Sequence, residues 1–515
     1  MSDELYSYHI FLFPFKWEVF QGKKHEQLPL SSRTSITAIK QHIEHTCCWD
    51  DFKFKPEIKG NFNTYNEYAY FYDYARDVLN LDDQQNHVNF HQFKYNGITK
   101  DTSKYIIATD KNTYQLAIEQ ITLNIYDNGI GILSFHLANN TYKNFDDILC
   151  INDYGRRIYP QYLGAIDGEL TQNTKGSFLA QYIALQNVVG DTTVKENFSH
   201  YDRLQQVQNQ PFVLPKHISC LLGNRFIGHY DSKLKDDVII QPILDDRMFV
   251  ISCVFNQDLF EKMTVFCKDE KRYSYLNNDD WYKYVFVDTG TPSCHSSIMK
   301  TAQLTVATYD RWLDYRYQQK KAGHLFGISR YSFVMLGSDT WYPKNIVIKH
   351  LQHHYFQMVV LCLLQRAALI NFSGEVARIS ERLSNDFNKL DKERKHISKL
   401  YLSYIKFVNR IYFREISPQE QGIELYDKLQ EQMRTRKDVE DLGREIAELN
   451  TFAETVQQSQ LTLIAGKFLP PSLVAGILGI NAETYKPIEN FWFGIGIILL
   501  TFFLSDYVIR IFQKK

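Results

Sequence analysis

The sequence has few of the spacings that mark metal, disulfide or nucleotide sites. Its eight cysteines include no CxxC pair, so they are expected to be reduced core residues rather than zinc ligands or disulfide partners. His350 and His354 have the i, i+4 spacing of helical zinc ligands, but no third ligand is evident at a fixed spacing. Walker, Gly-x-Gly-x-x-Gly and Gly-x-Ser-x-Gly motifs are missing as well. The sequence therefore predicts no covalent cofactor and no enzymatic activity.

An excess of charge of one sign is also missing. The 58 Lys and Arg residues are balanced by 59 Asp and Glu residues, so the sequence gives no reason to expect direct nucleic-acid binding. A mean hydropathy of −0.34 indicates that most of the chain lies in water. The first residues are acidic, and Pro14 and Lys16 interrupt the apolar run that follows them. No signal peptide is therefore expected.

Long apolar runs are confined to residues 461–515, where two of them occur. The first ends at Gly479-Ile480-Asn481, and the second extends from Phe491 to Phe512. Each run has about 20 residues or slightly more, and at 1.5 Å per residue such a helix crosses a hydrocarbon layer roughly 30 Å thick. We therefore predict two C-terminal transmembrane helices joined by a short loop.

Basic residues predict the direction in which these helices cross. Three of them, Arg510, Lys514 and Lys515, follow the second run, whereas the loop carries a single lysine. Because basic residues stay on the cytoplasmic side, both termini are expected in the cytoplasm and the helices in the inner (plasma) membrane. Glu483 and Glu489 would then lie at the outer side, where a ring of carboxylates concentrates cations.

Residues 1–340 predict an α/β domain on the cytoplasmic side. An Asp127-Asn128-Gly129 turn between two alternating apolar runs is typical of a β-hairpin. The expected strands cover residues 8–13, 122–126, 131–137, 249–255, 282–287 and 329–336, and the expected helices cover residues 66–80 and 176–188.

Residues 341–460 predict a long helical stalk. Residues 355–364 are apolar but too few to span a membrane, and they predict a buried helix. From Val376 to Ile411, apolar residues recur at steps of mostly three and four, as in a coiled coil. Pro418 and Gly422 end this pattern. A second helix is expected to start near Glu424 and to continue without a break into the first transmembrane helix.

The C-terminal pattern resembles that of the CorA-type cation channels, two-helix membrane proteins named for their Gly-x-Asn loop. In that family the first membrane helix ends in Phe-x-Pro-x-Thr/Ser, an Ala-Gly pair and Gly-Met-Asn. The residues that match without a gap are Phe468, Pro470, Ser472, Ala475, Gly476, Gly479 and Asn481. Ile480 replaces the usual Met. The sequence match is specific over residues 455–515. For the helices before them only the arrangement of elements matches, and the resemblance says almost nothing about residues 1–340.

The resemblance implies a homo-oligomeric, pentameric funnel that conducts Mg²⁺ or another divalent cation. It also implies that Gly479, Ile480 and Asn481 form the selectivity loop, with Asn481 contacting the hydrated ion. An amide oxygen suits this role because Mg²⁺ gives up its water ligands reluctantly.

A stripe along the first membrane helix predicts which face would line a pore. Counting back from Asn481 at a period near 3.5 gives mostly small or polar residues, namely Gly476, Ser472, Leu469, Ala465, Thr462, Gln458 and Thr455. Polar side chains within an apolar span are expected to face water or partners, and Leu469 would form an apolar constriction. The alternative is that the small residues only allow helices to pack closely.

Two opposite charges lie at similar depths in the predicted spans. Lys467 is 14 residues inward of Asn481, and Asp506 is 15 residues past the start of the second span. At helical rise both lie about 21–22 Å from the outer side. We predict that Lys467 and Asp506 form an ion pair, since an unpaired charge within a membrane is unfavourable. The alternative is that Lys467 extends to the cytoplasmic headgroups.

Residues 153–160 carry two adjacent arginines beside a glycine, with tyrosines between them. Arg156 and Arg157 suit a phosphate, and Tyr154 suits stacking on a base. The alternative is a solvated turn with one structural salt bridge.

Residues 8–11 and 152–159, together with the overall layout, make the chain resemble the enlarged CorA-like proteins of type III CRISPR systems. That resemblance implies gating by a nucleotide second messenger in antiviral defence. A housekeeping Mg²⁺ transporter and a non-conducting membrane-anchored receptor or scaffold are the alternatives.

Overall fold

A computed structural model describes most of the chain. The described residues are 4–22, 25, 28–44, 46, 48–52, 69–79, 90–99, 101–158, 165–166, 169–170, 180–198, 213–228, 237–245, 247–317, 320–385, 390–480 and 489–513. The chain forms two compact units: the first comprises Met1–Glu375 and Leu402–Leu442, and the second comprises Val376–Tyr401 and Gly443–Lys515. These boundaries differ from the expected division after residues 340 and 460.

Within the described residues, one mixed sheet of fourteen strands forms the framework of the first unit. The strands of the chain are β1 (Ser7–Val19), β2 (Trp49–Asp51), β3 (Phe90–Tyr95), β4 (Lys104–Ala108), β5 (Thr113–Tyr126), β6 (Ile130–Asn139), β7 (Ala165–Ile166), β8 (Glu169–Leu170), β9 (Tyr182–Gln186), β10 (Thr193–Asn197), β11 (Phe226–Ile227), β12 (Val238–Pro242), β13 (Phe249–Phe255), β14 (Phe266–Cys267), β15 (Arg272–Tyr273), β16 (Thr308–Tyr317), β17 (Lys320–Ile328) and β18 (Ser332–Gly337). The main order is β10-β9-β4-β5-β6-β1-β13-β18-β17-β16, with β12 beside β1 and β3 beside β5. Two small hairpins, β7–β8 and β14–β15, are separate.

Strand β1 lies at the centre of this sheet. It pairs antiparallel with β6 on one side and with β13 and β12 on the other. Phe11, Phe13, Phe15 and Trp17 alternate along it and are fully buried in one core cluster. Burial of the strand on both faces explains why most of its residues are apolar. The strand predicted at residues 8–13 is confirmed and is longer than expected.

The predicted hairpin is also confirmed. Strands β5 and β6 pair antiparallel, with Leu123 opposite Leu133, and three residues connect them. The last of the three, Gly129, has a φ of 81°, a left-handed conformation that glycine adopts without a steric penalty. Its carbonyl oxygen accepts a hydrogen bond of 2.8 Å from the Trp17 amide, which ties the turn to β1.

The α-helices among the described residues are α1 (Leu30–Arg33), α2 (Ile36–Glu44), α3 (Asp73–Val78), α4 (Phe145–Gly155), α5 (Lys216–Leu222), α6 (Gln257–Met263), α7 (Asp279–Phe286), α8 (Ser297–Ala307), α9 (Ile348–Gln352), α10 (His354–Asn385), α11 (Leu390–Arg410), α12 (Glu420–Met433), α13 (Thr435–Ile480) and α14 (Glu489–Gln513). The boundaries between the two units fall within α10, α11 and α13.

The strand predicted at residues 282–287 is wrong, because this segment belongs to helix α7. The Asn278 side chain caps the helix by accepting hydrogen bonds from the amides of Asp280 and Trp281. An N-cap of this kind satisfies amides that a helix otherwise leaves unpaired. The aromatic residues that suggested a strand instead form the buried face of the helix, which includes Trp281 and Tyr284.

Two of the predicted helices also need correction. The described part of residues 176–188 contains strand β9, which pairs with β4 and β10, rather than a helix. The helix predicted at residues 66–80 is shorter where it is described, since α3 covers only Asp73–Val78. Strand β13 coincides with the prediction at 249–255, and β18 begins three residues later than predicted.

The predicted buried helix at residues 355–364 is confirmed within α10. Among the described residues, the continuous helical stretch Pro343–Leu383 is the one that is long and apolar enough to cross a membrane. However, 78% of its most apolar window is buried within the chain, which is typical of a core helix. A shorter apolar stretch, Ile495–Tyr507, lies in α14.

The single second helix expected from residue 424 is divided into two. Helix α12 ends at Met433, and Arg434 adopts a left-handed conformation with a φ of 56° before α13 begins. A non-glycine residue in this conformation is uncommon and ends a helix in the same way as a C-terminal glycine. From Thr435, α13 continues for 46 residues without a break.

We expect the Gly155→Ala variant to be less stable than the parent protein. A Cβ atom at Gly155 would lie 2.6 Å from Ile107 Cδ1 and 2.8 Å from the Phe11 ring, both of which are buried in the core. Overpacking of this kind costs about 1–3 kcal/mol. A thermal unfolding scan of the purified protein measures the change.

The matched control for this test is Gly374→Ala in α10. A Cβ atom there meets nothing within 4 Å, so alanine is expected to be neutral or to stabilise the helix by up to about 1 kcal/mol. Equal unfolding temperatures for the two variants would contradict the packing described for α4.

Candidate functional site

The predicted pore stripe lies on one exposed face of α13. Its members are Thr455, Gln458, Thr462, Ala465, Leu469, Ser472 and Gly476, and all are exposed in the single chain. At about 100° per residue these positions cluster around one direction, and Lys467 lies roughly opposite to it. The stripe and Lys467 therefore occupy different sides of the helix.

The hydroxyl groups of the stripe donate their protons within the helix. Thr455 and Thr462 donate to carbonyl oxygens four residues earlier, each at 2.8 Å, and Ser472 donates to the Phe468 carbonyl at 2.6 Å. A hydroxyl group has one proton to donate and two lone pairs that accept. Since the proton is used inside the helix, each oxygen presents only an acceptor outward. Acceptor oxygens suit the water ligands of a hydrated cation.

Two adjacent prolines interrupt the hydrogen bonds of α13. Pro470 and Pro471 have no amide proton, so the carbonyl oxygens of Gly466 and Lys467 lose their usual donors four residues later. The Ser505 hydroxyl oxygen of α14 lies 3.2 Å from the Lys467 carbonyl oxygen. The same hydroxyl also reaches two carbonyl oxygens of its own helix, at 2.8 and 3.0 Å. Ser505 can therefore supply the donor that Pro471 removes.

Lys467 and Asp506 form an ion pair between α13 and α14. The Lys467 Nζ atom lies 2.5 Å from Asp506 Oδ1, and the two side chains are 32% and 18% exposed. Phe468 follows Lys467 and Phe502 lies one helical turn before Asp506, and the centroids of their rings are 5.5 Å apart. Two neighbouring residues of α14, Ser505 and Asp506, thus contact the backbone and the side chain of the same lysine.

Part of the predicted selectivity loop lies outside the described residues. Asn481 and Glu483 are not among the described residues. The backbone of Gly479 and Ile480 forms the last turn of α13, and that of Glu489 begins α14. Their roles stay predictions.

The predicted ligand residues Tyr154, Arg156 and Arg157 lie at the end of α4, around Asp153. Arg157 Nη2 donates to Asp153 Oδ1 at 2.8 Å, and Arg156 Nη2 approaches the same oxygen at 3.3 Å. Thr289 donates to the other carboxylate oxygen at 2.8 Å. Arg156 and Arg157 are 2% and 3% exposed, so this turn is buried rather than solvated.

The charges in this cluster shift one another's pKa values. Burial by itself would raise the pKa of Asp153, but Arg157 and Arg156 outweigh it and hold the pKa below its usual value. Burial lowers the pKa of Arg156, Asp153 opposes this shift and the neighbouring Arg157 adds to it, and together they bring the pKa to about 10. Burial and the Asp153 charge raise the pKa of Tyr154. The contacts are those of a structural ion-pair cluster, and ligand binding by these residues stays a prediction.

Ser505 is a contact residue that was not predicted from the sequence. The signal that identifies it is the Pro470-Pro471 pair, because two helical prolines leave two carbonyl oxygens that need donors from elsewhere. A serine next to the predicted partner of Lys467 was the natural candidate. No group of three or more His, Cys, Asp or Glu side chains in the described part of the chain is arranged to hold a metal ion.

Comparisons with known proteins give little further information. No family model matches the chain, and no curated protein matches it. Among solved structures, the CorA magnesium transporter from Methanocaldococcus jannaschii matches with 13% sequence identity and a TM-score of 0.16. The match covers 53% of this chain and 94% of that one. A TM-score this low does not establish a shared fold or a shared function.

Removing one partner of the ion pair is expected to destabilise the second unit. Asp506→Asn leaves Lys467 without its negative partner, and if α13 spans a membrane, a lone charge within it costs up to about 2.5–3.5 kcal/mol. The double variant Lys467→Met, Asp506→Leu is expected to recover most of this loss, because it removes both charges. The measurement is the unfolding temperature of the purified protein in lipid nanodiscs. A double variant less stable than Asp506→Asn would contradict the pairing.

Ser505→Ala tests the backbone contact in the same assay, with Ser459→Ala as its control. Both variants remove a hydroxyl that donates to a carbonyl oxygen of its own helix, but of the two only Ser505 also contacts a carbonyl oxygen of the other helix. We expect Ser505→Ala to lose about 0.6–2 kcal/mol, the range for a hydrogen bond between two helices in a membrane, and Ser459→Ala to change little.

Proposed function

We propose that the protein is a CorA-like membrane channel for Mg²⁺ or another divalent cation. In this proposal, copies of the chain surround an axis, and α13 of each copy faces the path of the ion. The observation that carries the proposal is the position of the polar stripe on α13, opposite the side that holds Lys467.

The two sides of α13 have different partners in this arrangement. The Lys467 side contacts Ser505 and Asp506 of α14 within the same chain. The opposite side is exposed along the whole stripe and has no described partner within the chain. Two helices cannot enclose a path, so a closed ring of identical subunits, which we take to be a pentamer, must supply the rest. α14 would then form the lipid-facing layer.

The chemistry of the stripe supports a path for a hydrated cation. The hydroxyl oxygens of Thr455, Thr462 and Ser472 point acceptors outward, and acceptors favour water molecules whose protons face away from the ion. Leu469, at 64% exposure, would narrow the path and close it by dewetting. Asn481 would meet the hydrated ion at the outer entrance, where Glu483 and Glu489 would attract it.

We further propose that a ligand bound to the first unit controls conduction. A nucleotide second messenger, acting in type III CRISPR defence, is the ligand class that the sequence resemblance implies. Both termini would lie in the cytoplasm, with the helices in the inner membrane. A housekeeping Mg²⁺ transporter would share the path and would instead be controlled by internal Mg²⁺.

Substitution of Leu469 tests whether the stripe lines the path. We expect Leu469→Ser to raise the basal Mg²⁺ flux into liposomes about tenfold, since a polar group lowers the dewetting barrier at a constriction. Ile464→Ser is the control, because Ile464 is 51% exposed but lies about 140° around the helix from Leu469. The flux is read with a Mg²⁺-sensitive dye trapped in the liposomes.

Two results would contradict the proposal. Equal flux from the two serine variants would show that Leu469 is not at a constriction. A complete lack of flux from intact oligomers, with or without adenine-nucleotide messengers, would favour a membrane-anchored receptor in which the stripe only packs helices together.

A further inference from the structure

Four arginines surround Tyr331, which directly precedes β18. The guanidinium carbons of Arg156 and Arg247 lie 5.9 and 5.5 Å from the centroid of the Tyr331 ring. Arg330 is its neighbour in sequence, and Arg366 Nη1 lies 3.4 Å from the Arg330 carbonyl oxygen. Tyr331 is 39% exposed, so part of the ring remains open to solvent.

Among the described residues of this cluster, the positive charges outnumber the negative ones. Arg157 joins the four arginines through Asp153, which it shares with Arg156. Asp245 pairs with Arg247 at 3.0 Å, and Asp438 adds a weaker attraction to Arg366. Counted over the described residues, the cluster thus contains five guanidinium groups and three carboxylates. Like charges at this density raise the free energy of the cluster unless another anion is present.

Arg156 is the most buried of the four arginines around the Tyr331 ring, and two of its guanidinium nitrogens make no described hydrogen bond. Its Nη2 atom donates to the Val287 carbonyl oxygen at 3.0 Å and approaches Asp153. Among the described residues, its Nε and Nη1 atoms are buried and have no hydrogen-bond partner. A buried guanidinium with unpaired donors is unfavourable, because those donors have given up water without a replacement.

Backbone strain occurs beside the same side chain. Val287 ends α7 in the left-handed region, with a φ of 53°. This conformation is a marked outlier for a β-branched residue, and such strain is found most often at binding sites and active sites. The bond from Arg156 to its carbonyl oxygen helps to hold it there.

We propose that Arg156, Arg247 and Tyr331 form a binding site for a phosphate-type anion, with Arg330 and Arg366 at its entrance. A phosphate group offers the several acceptor oxygens that the unpaired donors require, and guanidinium groups bind it in a bidentate manner. The open part of the Tyr331 ring would contact whatever the phosphate is attached to. The site gives the proposed ligand control a location, and only its regulatory role rests on the proposed channel.

Calorimetric titration of the purified full-length protein in detergent tests the site directly. The probes are inorganic phosphate and pyrophosphate, titrated at constant ionic strength set with chloride. We expect pyrophosphate to bind wild-type protein and Arg247→Gln to weaken its affinity about tenfold. Arg247 is the residue to substitute, because an Arg156 variant would also lose the hydrogen bond to the Val287 carbonyl oxygen and so change the stability of the fold. Arg316→Gln, an exposed arginine of β16, is the control with the same change in charge.

Arg247→Lys separates geometry from charge. We expect it to bind pyrophosphate more weakly than wild type, since lysine keeps the charge but cannot make a bidentate contact. No binding of either probe by the wild-type protein, or equal affinity of the wild type and Arg247→Gln, would overturn the site. Binding of pyrophosphate without Mg²⁺ flux would support the site and refute the channel. Mg²⁺ flux without binding of either probe would support the channel and refute the site.

Discussion

In the proposed channel, a charged group inside a membrane-spanning helix needs a partner at the same depth, and Lys467 imposes this requirement on the C-terminal part of the chain. Asp506 meets it at 2.5 Å, and the contact determines which side of α13 faces α14. Once that side is occupied, the polar stripe lies on the opposite side. In the proposed channel, the ion pair thus orients α13 so that its hydroxyl oxygens face the path.

The proline pair adds a second reason for the same contact. Pro471 removes the donor for the Lys467 carbonyl oxygen, and Ser505 lies within reach of that oxygen. The backbone and the side chain of one residue therefore both depend on α14. The prolines also remove two backbone hydrogen bonds within α13, about one turn from Leu469. If α13 bends when the path opens, this is where the fewest hydrogen bonds resist.

The same requirement governs the arginine cluster of the first unit. There, Asp153 satisfies Arg157 and part of Arg156, but the remaining donors of Arg156 have no described partner. A charge that the fold satisfies completely is structural. A charged side chain that keeps unpaired hydrogen-bond donors, as Arg156 does, indicates a place where an external anion can bind.

Much of the framework could be predicted from the sequence because local signals and burial agree there. The apolar run of β1 and the Asp127-Asn128-Gly129 turn both specify what the structure contains. The prediction was wrong where two local signals disagree. In α7, the aromatic residues suggest a strand, but the Asn278 cap starts a helix. The turn at Arg434 gave no signal either, because its left-handed conformation does not depend on glycine.

The same contrast holds for the candidate site. The depths of Lys467 and Asp506 follow from residue counting, which is why the pair could be proposed from the sequence. The contact from Ser505 and the gathering of arginines around Tyr331 depend on which segments meet in space. Arg247 and Tyr331 are separated by more than eighty residues of chain, and no periodicity connects them.

The central claim is that α13 lines a path for cations, and the reversal potential of the purified protein in a planar lipid bilayer tests it most directly. With a MgCl₂ gradient across the bilayer, we predict channel currents that reverse near the Mg²⁺ equilibrium potential. Currents that reverse near the chloride potential would contradict the claim, as would no current from intact oligomers in either the absence or the presence of phosphate-bearing ligands.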